Sequence, residues 1–307
     1  MINDLTYFSN NNFYDALDQF FSDLKIPLKS HTAQPTLPSQ ILSNTYDESN
    51  EVHQLMDDIY FMGIVDDEAF SGEGSDKELS DIKADDQDYD GILIFGVELN
   101  KRENGRLPTR SHLSTITRLF NREFKYTPVN IVYKYSLDGN SYISFTSCER
   151  VPYKQEWREG EKVGKVSLLK DIDINNTHTG HLKILEELKV PASVNSFTGL
   201  YEHWQEIFDI STLNKKFYKE ISDWYFWAKR NVTFPDDLPE LEKEDERNAI
   251  NLIRLLTRVL FVWFIKEKNL VNEELFNKEK LKTILINFNN PKNSGDTIYY
   301  KAILQNL

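Results

Sequence analysis

The residues best placed to do chemistry are acids at the ends of two apolar runs. Asp57 and Asp58 stand directly before the run 59–65, IYFMGIV, and Asp66, Asp67 and Glu68 follow it; Glu98 closes the run 92–99, with Asn100 and Lys101 next. If the runs pair as antiparallel strands, the start of the first lies beside the end of the second, and Asp57 or Asp58 comes next to Glu98. Two carboxylates from neighbouring strands, with a lysine close by, hold Mg2+ and orient a water for attack on a phosphodiester. The pattern leaves open which aspartate pairs with Glu98; the assignment carried forward is Asp58 and Glu98 as metal ligands and catalytic acids, with Lys101 assisting or stabilising charge. Asp66 and Asp90 are alternative acids. The competing reading is ordinary charged strand ends.

The surrounding elements must bring these groups together. The run 92–99 has no polar face and reads as a strand buried on both sides. Pro108 and Thr109 then mark a helix start, and Leu113, Ile116, Phe120 and Phe124 recur at steps of three and four, one core-facing stripe. Arg118, Arg122 and Lys125 fall on another face, and Pro128 precedes a second buried run, 129–135. Strand, crossover helix and strand make a parallel pair. Upstream, Phe13, Leu17, Phe20, Phe21 and Leu24 predict an amphipathic helix within 1–26, followed by a proline-marked connector. Downstream, Asp138-Gly139 predicts the turn of a hairpin over 129–147, and 166–172 reads as one more strand.

Past Pro191 the pattern becomes helical. Leu213, Phe217, Ile221, Trp224, Tyr225 and Ala228 share one spacing, a proline and acid linker follows, and 248–266 is apolar on most faces, as in a helix that is buried centrally or awaits a partner. The expected architecture is an α/β domain at 1–190, a mixed sheet with flanking helices, then an all-α domain at 191–307.

Charge is segregated. The chain has a formal net charge of -13, but residues 47–90 hold sixteen Asp and Glu against Lys77 and Lys83, a local -14. Residues 101–134 hold eight Lys and Arg against Glu103 and Glu123, a local +6. An acidic block beside a basic one suits a divalent-metal site next to a phosphate-binding surface, with Arg102, Arg106, Arg110, Arg118 and Arg122 as phosphate contacts; a solvated loop beside an ordinary charged helix is the bland reading. The acidic stretch 71–90 reads as a flexible loop, and as a DNA mimic that occupies the basic surface.

One cysteine, Cys148, excludes an internal disulfide framework, and the lack of a leader or long uncharged apolar run predicts a cytoplasmic protein without a membrane partner. The run 259–265 is too short to span and reads as a packed core helix. His178 and His181 sit at metal-ligand spacing, but a turn leading into a helix at 182–188 is the preferred reading, and Cys148 is read as structural. There is no GxxxxGK loop, nucleophile elbow or GxGxxG.

The order acid on one strand, Glu98 with a nearby lysine on the next, then a helix resembles the PD-(D/E)xK nucleases. Here Asn100 occupies the lysine position of that motif and Lys101 comes one residue late. On a regular strand Lys101 points to the opposite face unless the strand end or a bulge corrects it. Several stretches together resemble the amino-terminal half of fused type IIG restriction-modification enzymes: YDGILIFGVEL, TRSHLSTITRLFNREF, WREGEKVGKVSLLKDI, HTGHLKIL, LNKKFYKEISDWYFWAKRNVTFP, LIRLLTRVLFVWFIKEKNL and YYKAILQNL. That resemblance implies an Mg2+-dependent nuclease-like domain acting on double-stranded DNA, a helical connector, and a downstream adenine-specific methyltransferase domain of the same polypeptide. S-adenosylmethionine would serve only that domain; its binding loop and Asn/Asp-Pro-Pro-Tyr/Phe motif do not occur here, and Asn290-Pro291 is followed by Lys292. The apolar end, 302–307, fits a piece cut from a longer chain. The alternative function is a catalytically inactive nuclease-like module that binds DNA or a partner protein in phage defence.

Overall fold

A computed structural model describes residues 4–28, 34–72, 91–102, 105–124, 127–152, 161–234 and 244–267, with Leu79 and Leu270. The chain divides into two compact units, Met1–Lys215 and Lys216–Leu307.

The first unit is built on a five-stranded mixed sheet: β1 (Met56–Asp66), β2 (Gly91–Leu99), β3 (Val129–Leu137), β4 (Asn140–Pro152) and β5 (Glu161–Asp173), in spatial order β1-β2-β3-β4-β5. β1 and β2 are antiparallel, β2 and β3 parallel, and β3, β4 and β5 run on antiparallel. The single parallel pair requires a crossover. The basic, amphipathic segment supplies it as a helix, Arg110–Glu123, fixed at its start by a capping box in which Thr109 and His112 each accept the other's backbone N–H at 3.3 Å. β3 and β4 meet through Asp138 (φ 50°) and Gly139 (φ 83°), a two-residue turn with both central residues left-handed, which matches the twist of the hairpin.

Both sheet faces are covered, which is why β2 reads as an unbroken apolar run. Taking helices in chain order, α1 is Tyr7–Asn10, α2 Phe13–Asp23, α3 Pro38–Ile41, α4 Asp67–Phe70 and α5 the crossover helix; α6 is Thr179–Glu187 and α7 Phe197–Ile207. On one face Phe8, Leu17, Phe20 and Phe21 of α1 and α2 pack with Ile92, Ile94 and Val132, and the same cluster takes in Phe145 and Trp204. On the other, Leu113, Ile116 and Phe120 of α5 pack on Leu93, Phe95, Val97 and Tyr133. Gly96 lets α2 approach: a Cβ there would lie 2.2 Å from Leu17 Cδ1 and 3.1 Å from Phe13 Cε1.

Three elements differ from the sequence reading. The amino-terminal helix is two pieces, because Asn12 adopts extended backbone and its side chain accepts the Asp15 N–H at 2.9 Å, restarting the helix. The first unit runs beyond residue 190 to Lys215, because Leu200, Trp204 and Ile207 of α7 are buried in its core and Trp204 Nε1 donates to Leu188 O at 2.9 Å. The third is the apolar helix of the second unit.

Most of the described residues of that unit are helical, in α8 (Ile210–Asn231), which begins within the first unit, and α9 (Glu244–Glu267). Lys229 Nζ meets Asp245 Oδ2 at 2.9 Å, and Asn248 Oδ1 accepts the Phe234 N–H at 2.9 Å, tying the end of one to the start of the other. The run 259–265 is not packed as a core helix. Val259, Leu260, Phe261, Val262, Trp263 and Phe264 are all exposed, on an α9 that carries apolar side chains on most of its faces. By length and composition Glu244–Lys266 is apolar enough to cross a membrane, and 11% of its most apolar window is buried. The linker 235–243, the acidic stretch 73–90 apart from Leu79, Lys125, and 302–307 lie outside the described residues.

Candidate functional site

Pairing of β1 with β2 brings the acidic residues to one end of the sheet. Met56 stands opposite Leu99 and Ile59 opposite Val97, so Asp57 and Asp58 form a bulge facing Glu98. The antiparallel arrangement expected from the sequence is the one observed, and the bulge is how two residues share one opposing position.

Glu98 lies on the α2 face of the sheet, with Ile92 and Ile94, by strand alternation. Its direct neighbour in the parallel register is Lys134 of β3. Lys134 Nζ is 3.3 Å from Glu98 Oε1, with the side chains 19% and 29% exposed, and it also stands 5.2 Å above the centre of the Phe13 ring. Tyr60, one turn of the pleat along from Asp58, donates its hydroxyl to Glu98 Oε2 at 3.5 Å. Burial, and then the Glu98 and Asp58 charges, push the Tyr60 phenol up to about 12, so it stays protonated and a donor at neutral pH. Burial and the adjacent Asp57 charge raise the Asp58 carboxyl. Glu98 thus meets a lysine and a protonated phenol at the end of β2, on the strand opposite the Asp57-Asp58 bulge.

Lys134 is the participant the sequence reading missed. Its signal was present: a lone cation in the otherwise buried run IVYKY, in register with Glu98 once β2 and β3 are parallel. Lys101, the cation chosen from sequence, leaves the strand and lines a different cleft, described below, whose lining does not include Glu98.

The arginines have different surroundings. Arg118 donates to Gly164 O at 2.9 Å and Arg102 to Leu107 O at 3.2 Å; both have structural work. Arg122 donates back to Arg118 O at 3.3 Å, while Arg106 and Arg110 are exposed. Asp66 is a helix cap, accepting the Ala69 N–H at 3.0 Å, and Asp90 lies outside the described residues. His178 caps α6 by accepting the Gly180 N–H at 3.1 Å, which is the turn role the sequence favoured. Cys148 is fully buried and its thiol is pushed up to about 11 by that burial, the profile of an inert structural cysteine.

Among the described residues no three His, Cys, Asp or Glu side chains are grouped to hold a metal. Asp58 and Glu98 offer two carboxylates, which fits the sparse protein coordination Mg2+ uses when water and substrate phosphate supply the rest. Neither a family model, nor a curated protein, nor a solved structure matches this chain.

Proposed function

We propose that the first unit is a nuclease-like module acting on double-stranded DNA, with a phosphodiester-cleaving site at Asp58, Glu98 and Lys134. The observation that carries the reading is Glu98 standing between the Asp57-Asp58 bulge and Lys134 Nζ, 3.3 Å away. Asp58 and Glu98 are the residues to hold Mg2+, which when bound polarises a phosphoryl oxygen and lowers the pKa of a coordinated water. Lys134 supplies the positive charge that the Glu-x-Lys pattern lacks at Asn100, and faces charge developing on a phosphate. Tyr60 positions Glu98 through its hydroxyl. In the fuller version of this reading, the second unit is the helical connector of a type IIG-like restriction-modification protein, cytoplasmic, with S-adenosylmethionine bound only by a downstream methyltransferase domain.

The test is nicking of supercoiled plasmid in Mg2+ by the wild-type chain, Glu98→Gln and Lys134→Met. Cleavage that needs Mg2+ and is lost in both variants supports the reading; cleavage unchanged in Glu98→Gln removes Glu98 from the mechanism. A second reading, a non-catalytic DNA- or partner-binding module of phage defence, is favoured by the ion pair that already occupies Glu98. It predicts salt-sensitive DNA binding with no Mg2+ dependence and no nicking.

A further inference from the structure

The exit of β2 and the turn before β1 enclose a second feature at the same end of the sheet. It is a cleft of about 460 Å3 whose lining includes Val52 and Leu55 on one side and Lys101, Arg102 and His112 on the other, with Glu51 as the one carboxylate among the described lining residues. The walls are pinned to each other rather than left as loose loops: Asn100 N–H donates to Leu55 O at 2.8 Å, and Asn100 Nδ2 to Gln54 O at 3.4 Å. Arg102 is held by its bond to Leu107 O, which takes one of the guanidinium's five donors. Lys101 is exposed, with its ammonium available to solvent. Two cations act on His112 at the cleft wall. Protonation of His112 is opposed by burial first, then by Arg102 and by Lys170 of β5, even though the chain as a whole is strongly acidic.

We propose that this cleft grips a backbone phosphate of a nucleic acid strand, with Lys101 and Arg102 as the cationic contacts and Val52 and Leu55 as the apolar wall against the sugar. The inference rests on the reading of the first unit as a DNA-acting module and adds where the strand is held. Lys101 follows Glu98 by three positions, and Leu55 precedes the Asp57-Asp58 bulge by two, so the cleft, on the α5 side, and Glu98, on the α2 side, share one end of the sheet, and a strand that wraps this end meets both. It also gives Lys101 a role that its displacement from Glu98 would otherwise leave without explanation: the late lysine binds substrate, and Lys134 accompanies the acids.

The experiment is equilibrium binding of a fluorescein-labelled DNA duplex to the whole chain, without divalent ions, over a series of salt concentrations, for wild type, Lys101→Glu and Glu98→Gln. Lys101→Glu is the clean variant because the side chain is exposed, whereas Arg102 helps hold its own loop. The expected result is several-fold weaker binding at low salt in Lys101→Glu. Its salt slope should fall by about 0.9, the loss of one phosphate contact, with no such loss in Glu98→Gln. Inorganic phosphate as competitor separates a general anion pocket from a strand-binding one: displacement of the duplex at low millimolar phosphate would overturn the strand assignment. An unchanged affinity and slope in folded Lys101→Glu would overturn the proposal altogether. The two readings fail separately: if Lys101→Glu weakens binding while Glu98→Gln leaves nicking intact, the cleft stands and the cleavage site does not.

Discussion

Gly96 couples the fold to the site and can be tested quantitatively. Gly96→Ala places a Cβ 2.2 Å from Leu17 Cδ1 and 3.1 Å from Phe13 Cε1, where ordinary carbon contacts need roughly 3.5 to 4 Å, so the Leu17 side chain must leave its position by more than an ångström, by a rotamer change or with α2. Overpacking of this kind costs about 1–3 kcal/mol. The amides of β2, which are freed only when the sheet opens, should exchange with solvent about 5- to 150-fold faster, at tenfold per ~1.4 kcal/mol. Leu17→Ala removes the closer of the two clashing atoms and leaves Phe13 Cε1. Alone it leaves a cavity and costs about 2–5 kcal/mol, but in its background Gly96→Ala should cost clearly less than in the wild type, the remainder being the Phe13 contact. Phe13 lies beneath Lys134, so the clash also disturbs the cation beside Glu98. Hydrogen exchange of β2 peptides read by mass spectrometry is the assay. Equal exchange in wild type and Gly96→Ala, or an undiminished penalty in the Leu17→Ala background, would refute the packing of α2 on this strand.

The remaining predictions address single groups. Glu98→Gln should lower the Tyr60 phenol from about 12 toward 10, seen by ultraviolet titration, because a negative charge opposing its ionisation is gone. In the wild type, burial of the neutral phenol stabilises the fold fully below pH 10, and that contribution is lost as pH rises toward 12; a urea-midpoint series over this range shows it. Cys148 should resist iodoacetamide at pH 8 in the folded chain and react at the rate of unfolding, and rapid labelling of the native protein would show the thiol to be accessible. Thr109→Ala removes half of the capping box of α5 and should cost about 1 kcal/mol in urea unfolding. Asp171 is held at φ 56° and accepts the Tyr135 hydroxyl at 2.6 Å. Asp171→Ala, which loses the bond and keeps the strained backbone, should destabilise more than Asp171→Asn, which tolerates both.

Much of the sheet was legible because its signals are local. Unbroken apolar runs marked β1, β2 and β3, Asp138-Gly139 marked the hairpin, and the stripe from Leu113 to Phe120 behind Thr109 marked the crossover helix. From these the antiparallel β1–β2 and parallel β2–β3 pairings followed, and with them the approach of Asp57 and Asp58 to Glu98. What was not legible depends on register between distant segments. That Lys134 faces Glu98 follows only from the exact parallel offset, and a lysine within an apolar run attracts no notice until its neighbour is known. Arg118 looked like a surface cation, yet its partner is a backbone carbonyl of β5 forty-six residues away. The reach of the first unit past residue 190 was hidden for the same reason: Trp204 reads as one more helical aromatic until the core it fills is assembled.

The most direct test of the central claim is Mn2+ binding, followed by electron paramagnetic resonance, to the chain with a DNA duplex present. The account predicts a bound Mn2+ signal in the wild type that is lost in Asp58→Asn and in Glu98→Gln and retained in Lys101→Glu. Equal Mn2+ binding in wild type, Asp58→Asn and Glu98→Gln would contradict the assignment of these two carboxylates as the metal site.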